Sequence, residues 1–132
     1  MTFLLDTDTC VFWLRGRASI REHVAVVGPQ AISVSIITVA ELRYGAACSN
    51  QPAANEQAIN AFTSGIHVLG VDDGIVAAFA MIKAGLRQQG MLIEDFDLLI
   101  AATAHTHGLT LVTNNVAHFG RVPGLLLENW LE

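Results

Sequence analysis

The sequence predicts an α/β domain in three layers, with helices on both faces of a central, mostly parallel sheet of about five strands. Three observations predict it. Short runs of consecutive apolar residues recur along the chain, and strands that are apolar on both sides belong to sheets covered on both faces. Helix-like stretches separate these runs, and such alternation makes the strands parallel, joined by crossover helices. The chain has 132 residues, 52% of them hydrophobic and 14% charged. That is the length of about one domain and a composition far from disorder, so a single domain over residues 1–132 is expected.

The elements follow in order. Residues 2–5, Thr-Phe-Leu-Leu, read as a buried strand that ends at Asp6. Residues 31–35, Ala-Ile-Ser-Val-Ser, read as a second strand, followed by a helix that carries Glu41 in its first two turns. Pro52 stands where a helix can begin, because its missing N–H costs nothing there; Ala58, Ile59 and Phe62 then face inward. Residues 67–69 are a weaker third strand. Asp72 suits the N-cap of a helix with Val76, Phe79, Ile82 and Leu86 as its apolar positions and Gly90 near its end. Asp95 or Asp97 opens a further helix that Gly108 stops. Residues 109–113 form a fourth strand and residues 125–127 a short fifth.

The formal net charge of −5 argues, taken alone, against a nucleic-acid partner, because phosphate binding usually leaves a basic footprint. Clustering of the acids around a bound cation reverses that local sign. Three of the seven basic residues, Arg15, Arg17 and Arg21, fall close together, as a small basic edge or as a solvated helix face. Cys10 and Cys48 have no metal-like spacing and read as plain buried thiols in a reducing cytosol. Asp6 cuts the first apolar run short, so no signal peptide is expected. No apolar run approaches the ~18 residues of a membrane span.

In an open parallel sheet, ligands bind beyond the carboxyl ends of the strands. Asp6 and Asp8 follow the first strand, Glu41 lies just after the second, Asp97 opens the helix before the fourth, and Asn114 and Asn115 follow the fourth. The topology can bring these distant residues to one end of the sheet. Each also has a plain structural reading, as a helix cap, a first-turn carboxylate or a solvent-facing residue. Together they are harder to dismiss. Glu41 and Asp97 sit in strongly apolar surroundings, where a lone acid is costly unless paired or metal-bound. A hard divalent cation with oxygen ligands answers that cost. The five histidines lack the spacing of a zinc site.

Four segments resemble those of PIN-domain ribonucleases of the VapC toxin type: Leu4-Leu5-Asp6-Thr7-Asp8; residues 35–45 around Glu41; Asp97-Leu98-Leu99-Ile100-Ala101-Ala102; and Thr113-Asn114-Asn115 with His118-Phe119. The closing residues 121–125 are also similar to that family's C-terminal end. The resemblance implies a PIN-like fold and a metal-dependent endoribonuclease acting on structured RNA such as tRNA. It implies a cognate antitoxin and, commonly, a homodimer. Asp6, Glu41 and Asp97 match the acidic triad, expected to hold Mg²⁺ or, in its place, Mn²⁺. Asn115 stands where many PIN domains have a fourth acid, and is expected among the catalytic residues. Thr113, Asp8 and Asp95 are candidates for supporting roles. Two alternatives stay open: a non-catalytic PIN-like protein-binding module, and a haloacid-dehalogenase-type phosphatase with Asp6 as nucleophile and Lys83 as its lysine.

Overall fold

In a computed structural model, which describes residues 1–131, five strands alternate with seven helices. The expected domain runs one residue further, to Glu132, which lies outside the described residues. The order is β1 (Phe3–Leu5), α1 (Thr7–Leu14), α2 (Ala18–Val27), β2 (Ile32–Ser35), α3 (Ile36–Ala47), α4 (Pro52–Ser64) and β3 (His67–Leu69). Then come α5 (Asp73–Gln88), α6 (Asp95–His107), β4 (Thr110–Val112), α7 (Val116–Phe119) and β5 (Leu127–Glu128). All four strand pairings are parallel, and the sheet order is β3-β2-β1-β4-β5. The expected three-layer fold is therefore present.

Strand periodicity builds two cores from one sheet. Successive side chains point to opposite faces. Leu4 and Leu111 go to one side, with Leu86 of α5 and Leu98, Ile100, Ala101 and Ala104 of α6. Leu5, Val112, Ile32 and Val34 go to the other, with Cys10, Val39, Leu42 and Ile59 from α1, α3 and α4. Leu4 and Leu5 are both fully buried, which explains an apolar run without alternation. Ser33, also buried, is tolerated because its hydroxyl donates to the Phe3 carbonyl at 2.9 Å.

Several expectations shift. Cys48, expected to be buried, is exposed while Cys10 is buried. Ala58 is exposed, so α4 turns Ile59 rather than Ala58 inward. Strands β1 and β4 are trimmed to Phe3–Leu5 and Thr110–Val112. The buried stripe of α5 starts at Ile75, which is fully buried, whereas Val76 is half exposed. Ile75, Phe79, Ile82 and Leu86 then recur at spacings of four, three and four along one helix face, and Phe79, Ile82 and Leu86 join the core that α6 shares. The fifth strand lies at Leu127–Glu128, later than residues 125–127. Gly124, at φ +75°, turns the chain first, and Leu126 offers its carbonyl to Leu111 N–H at 2.8 Å. The second strand begins at Ile32, because Pro29–Ala31 form a short tight turn of helix before it. Among the described residues, no helix is long and apolar enough to cross a membrane.

Strand β1 is central: β2 pairs on one side of it and β4 on the other. The chain runs from β1 outward through β2 to β3, then crosses back to β4 on the other side of β1, and at this reversal of strand order a crevice opens beyond the carboxyl ends of β1 and β4. The site lies there.

Candidate active site

Asp6 is the first residue past β1 and is only 4% exposed. Its Oδ1 accepts from the Thr9 backbone N–H at 2.9 Å, capping α1. Its Oδ2 accepts from Thr113 Oγ1 at 2.5 Å. Thr113 Oγ1 in turn accepts from the Asn115 backbone N–H at 2.9 Å. One buried hydroxyl thus ties the end of β1 to the segment after β4, across the crevice. Asp6 thus caps a helix and also lines the cleft.

Glu41 is carried into the cleft by α3, whose start is set by Ser35 accepting from the Ile37 N–H at 3.0 Å. Thr7 Oγ1 donates to Glu41 Oε1 at 2.6 Å and lies 3.1 Å from Thr38 Oγ1. Asp97 sits in the first turn of α6. Asn115 Nδ2 is 2.8 Å from His118 Nδ1, which holds its amide against α7.

These residues enclose one cavity of about 160 Å³, lined by Asp6, Thr7, Asp8, Glu41, Glu94, Asp97, Asn115 and Phe119. Four of the expected residues, Asp6, Glu41, Asp97 and Asn115, meet there, and Asp8 joins them. Thr113 lies beneath, fully buried. Asp95 does not take part: its carboxylate pairs with Lys83 Nζ at 2.7 Å outside the cavity. That pairing also removes the lysine that a phosphatase would need. Glu94 and Thr7 were not singled out by sequence reasoning. Glu94 is the N-cap residue of α6 but makes no side-chain cap bond, so its carboxylate is left to the cleft. Thr7 was legible only as the residue between two acids.

The electrostatics are those of crowded carboxylates. Burial, and then the charges of Glu41, Asp6, Glu94 and Asp8, push the Asp97 carboxyl up to about 6. Burial also raises Asp6, although its bonds from Thr113 and Thr9 pull the other way. Burial pushes the Cys10 thiol up as well, so the sulfur stays protonated beneath the site. No three His, Cys, Asp or Glu side chains among the described residues are drawn together into a preformed metal cage. The donor set is nevertheless all oxygen and carries several negative charges, which suits a hard cation that keeps part of its water shell.

The PIN domain family matches residues 3–125. The chain belongs to that family. This PIN domain is 38% identical over 131 residues to the tRNA(fMet)-specific endonuclease VapC of Shigella flexneri, covering 98% of each chain. It is 39% identical over 133 residues to Ribonuclease VapC2 of Haemophilus influenzae, covering 99% of each. Its fold superposes on the crystal structure of DNA-bound VapBC from Salmonella typhimurium with a TM-score of 0.94, at 35% identity and 98% coverage of both chains. The expected resemblance to VapC-type PIN domains is thereby borne out over nearly the full chain.

Proposed function

We propose that this PIN domain, a single unit over residues 1–132, is a metal-dependent endoribonuclease. It is the toxin of a toxin–antitoxin pair, cutting structured RNA in the cytoplasm. The observation that carries the reading is the convergence of Asp6, Glu41 and Asp97, from three distant segments, on one cavity at the switch point of the sheet. The naming of the Shigella relative as tRNA-specific favours tRNA as the RNA. The likeness to VapBC favours an antitoxin partner, and family habit favours a homodimer.

Asp6, Glu41 and Asp97 would hold one or more Mg²⁺ or Mn²⁺ ions, with Asp8 and Glu94 adding negative charge at the rim. A bound cation of this kind supplies Lewis-acid activation of water and offsets charge on the phosphate. The chain's own residues do the rest. Thr113 and the Thr9 N–H fix the Asp6 carboxylate, leaving its remaining lone pairs to the cleft. Thr7 holds one Glu41 oxygen in place. Asn115, with its N–H on Thr113 and its amide on His118, is pre-oriented to hydrogen-bond a water or a phosphate oxygen. Cleavage falls in unpaired loops, because an A-form duplex hides its base edges.

The test is cleavage of a tRNA panel with Mg²⁺, with EDTA, and by Asp97→Asn. We expect cleavage with Mg²⁺, none in EDTA, and a loss of at least about 100-fold for Asp97→Asn, as for removal of one electrostatic stabiliser at a reacting centre. Undiminished cutting in EDTA sinks the metal scheme. Cation binding without cutting of any RNA favours the protein-binding alternative.

A further inference from the structure

Beside the acidic cleft lies a second cavity of about 560 Å³, lined by Thr7, Ala40, Glu41, Tyr44 and Phe96. It shares Thr7 and Glu41 with the acidic cavity, so the two adjoin. Its volume lies within the ~300–1,000 Å³ usual for small-ligand sites. Its walls are aromatic. Tyr44, the single tyrosine of the chain, is 73% exposed, and Phe96 is 50% exposed. Large apolar side chains left in water at a cavity mouth call for an occupant. Both side chains spring from helix positions next to the acids. Tyr44 is three residues beyond Glu41 on α3 and so shares its face. Phe96 directly precedes Asp97 on α6.

We infer that Tyr44 and Phe96 form a stacking clamp for an unpaired nucleobase of the RNA, next to the cavity lined by Asp6, Glu41 and Asp97. The inference rests on the nuclease reading and adds the substrate feature that the site recognises. Charge argues for it. The two cavities hold five acids between them and no lysine or arginine, so the protein itself offers the RNA backbone no cation there. Stacking on π-faces supplies binding that does not depend on basic residues and tolerates any base. It also requires the base to be unstacked from its neighbours, which selects loops over duplex. Arg15, Arg17 and Arg21 line neither cavity. The first two lie past the far end of α1, which is about 12 Å long at 1.5 Å per residue.

The experiment is fluorescence anisotropy of a fluorescein-labelled RNA hairpin with a single-stranded loop, in Ca²⁺ buffer. Wild type is compared with Tyr44→Ala, Phe96→Ala and Tyr44→Phe. Substitutions at such exposed positions leave the fold intact. Loss of one stacking ring raises Kd on the order of 10-fold; Tyr44→Phe stays near wild type. An abasic loop binds more weakly to wild type and abolishes the difference between wild type and the alanine variants. Mn²⁺ affinity, read separately by calorimetry, is unchanged in all of them. Equal RNA affinity across the variants overturns the clamp. So does a loss that persists in full on the abasic loop. If sedimentation shows Tyr44→Ala splitting a dimer while RNA affinity holds, the rings serve a second copy of the chain and the clamp is wrong. Failure of Mg²⁺-dependent cleavage in the wild type counts against the nuclease reading alone, and the anisotropy still decides the stacking.

Discussion

Thr113 makes the sharpest prediction at the scale of single residues. Its hydroxyl donates to Asp6 in a buried bond and accepts from the part-buried Asn115 N–H. Valine keeps the shape and deletes both bonds. A buried acceptor left unmet costs about 1–3 kcal/mol, so Thr113→Val should lower Tm by several degrees, while Thr113→Ser, which keeps the hydroxyl and loses one buried methyl, should lower it less. It should also weaken Mn²⁺ binding, because Asp6 loses the bond that favours its charged form. Calorimetry on the two variants checks this; a Thr113→Val protein as stable and as metal-avid as wild type makes the hydroxyl idle. Thr7→Val is the milder counterpart. Thr7 is only part-buried, so stability should hold within about 0.5 kcal/mol while kcat/KM for RNA falls as Glu41 loses its tether. The residue scale also shows what the sequence could and could not reveal. Asp95 and Asp97 are two apart, and that spacing turns helical side chains away from each other. Only one of them could face the cleft, and spacing alone did not say which. Lys83 on α5, across the packing, decides it by taking Asp95.

Among the elements, α6 was the easiest to read and β5 the hardest. The N-terminal acids of α6 and its stop at Gly108 are both written locally. Gly108 adopts a left-handed conformation, at φ +64°, with open space where a Cβ would go. Gly108→Ala therefore meets no clash but still carries the backbone cost, roughly 1–2 kcal/mol. Thermal unfolding should show a Tm lower by roughly 4–6 °C, with Mn²⁺ affinity unchanged, since Asp97 sits at the opposite end of the helix. A Tm equal to wild type would contradict the αL cap. β5 was misplaced for a reason of the same kind in reverse. Three consecutive leucines carry no alternation, so nothing local fixes which of them pairs. The register comes from β4, through Leu111 and Thr113 bonding to Leu126 and Glu128. In α5, apolar residues at 75 and 76 both fit a helical stripe; in the fold Ile75 is fully buried and Val76 half exposed. Local chemistry was legible, and choices made by a partner element were not.

For the molecule as a whole, the acidic site and the fold oppose each other, and pH measures the conflict. The order β3-β2-β1-β4-β5 gathers into one cleft carboxylates that would be far apart in the unfolded chain. Asp97, at about 6 in the folded protein against 3.8 ordinarily, binds its proton more tightly folded than unfolded. Its contribution to stability is therefore fully present below about pH 4 and lost as pH rises through about 6. Asp6 is raised as well and acts in the same direction. Metal-free protein should lose Tm between pH 5 and 7 more steeply than Asp97→Asn, which has no carboxylate to ionise there. At pH 7 the metal-free variant should be the more stable, by roughly 1 kcal/mol once the screening of a half-exposed group is allowed for. A cation inverts the balance, since it binds the folded carboxylates. Mn²⁺ at tenfold its Kd adds about 1.4 kcal/mol at pH 7, and that gain should fade on acidification through pH 6 as protons displace the ion. Scanning calorimetry of both proteins at pH 5, 6 and 7, with Mn²⁺ and with EDTA, reads every arm. Parallel pH slopes for wild type and Asp97→Asn would mean that the carboxylates do not share one field, and the picture of a fold strained until its cation arrives would have to be abandoned.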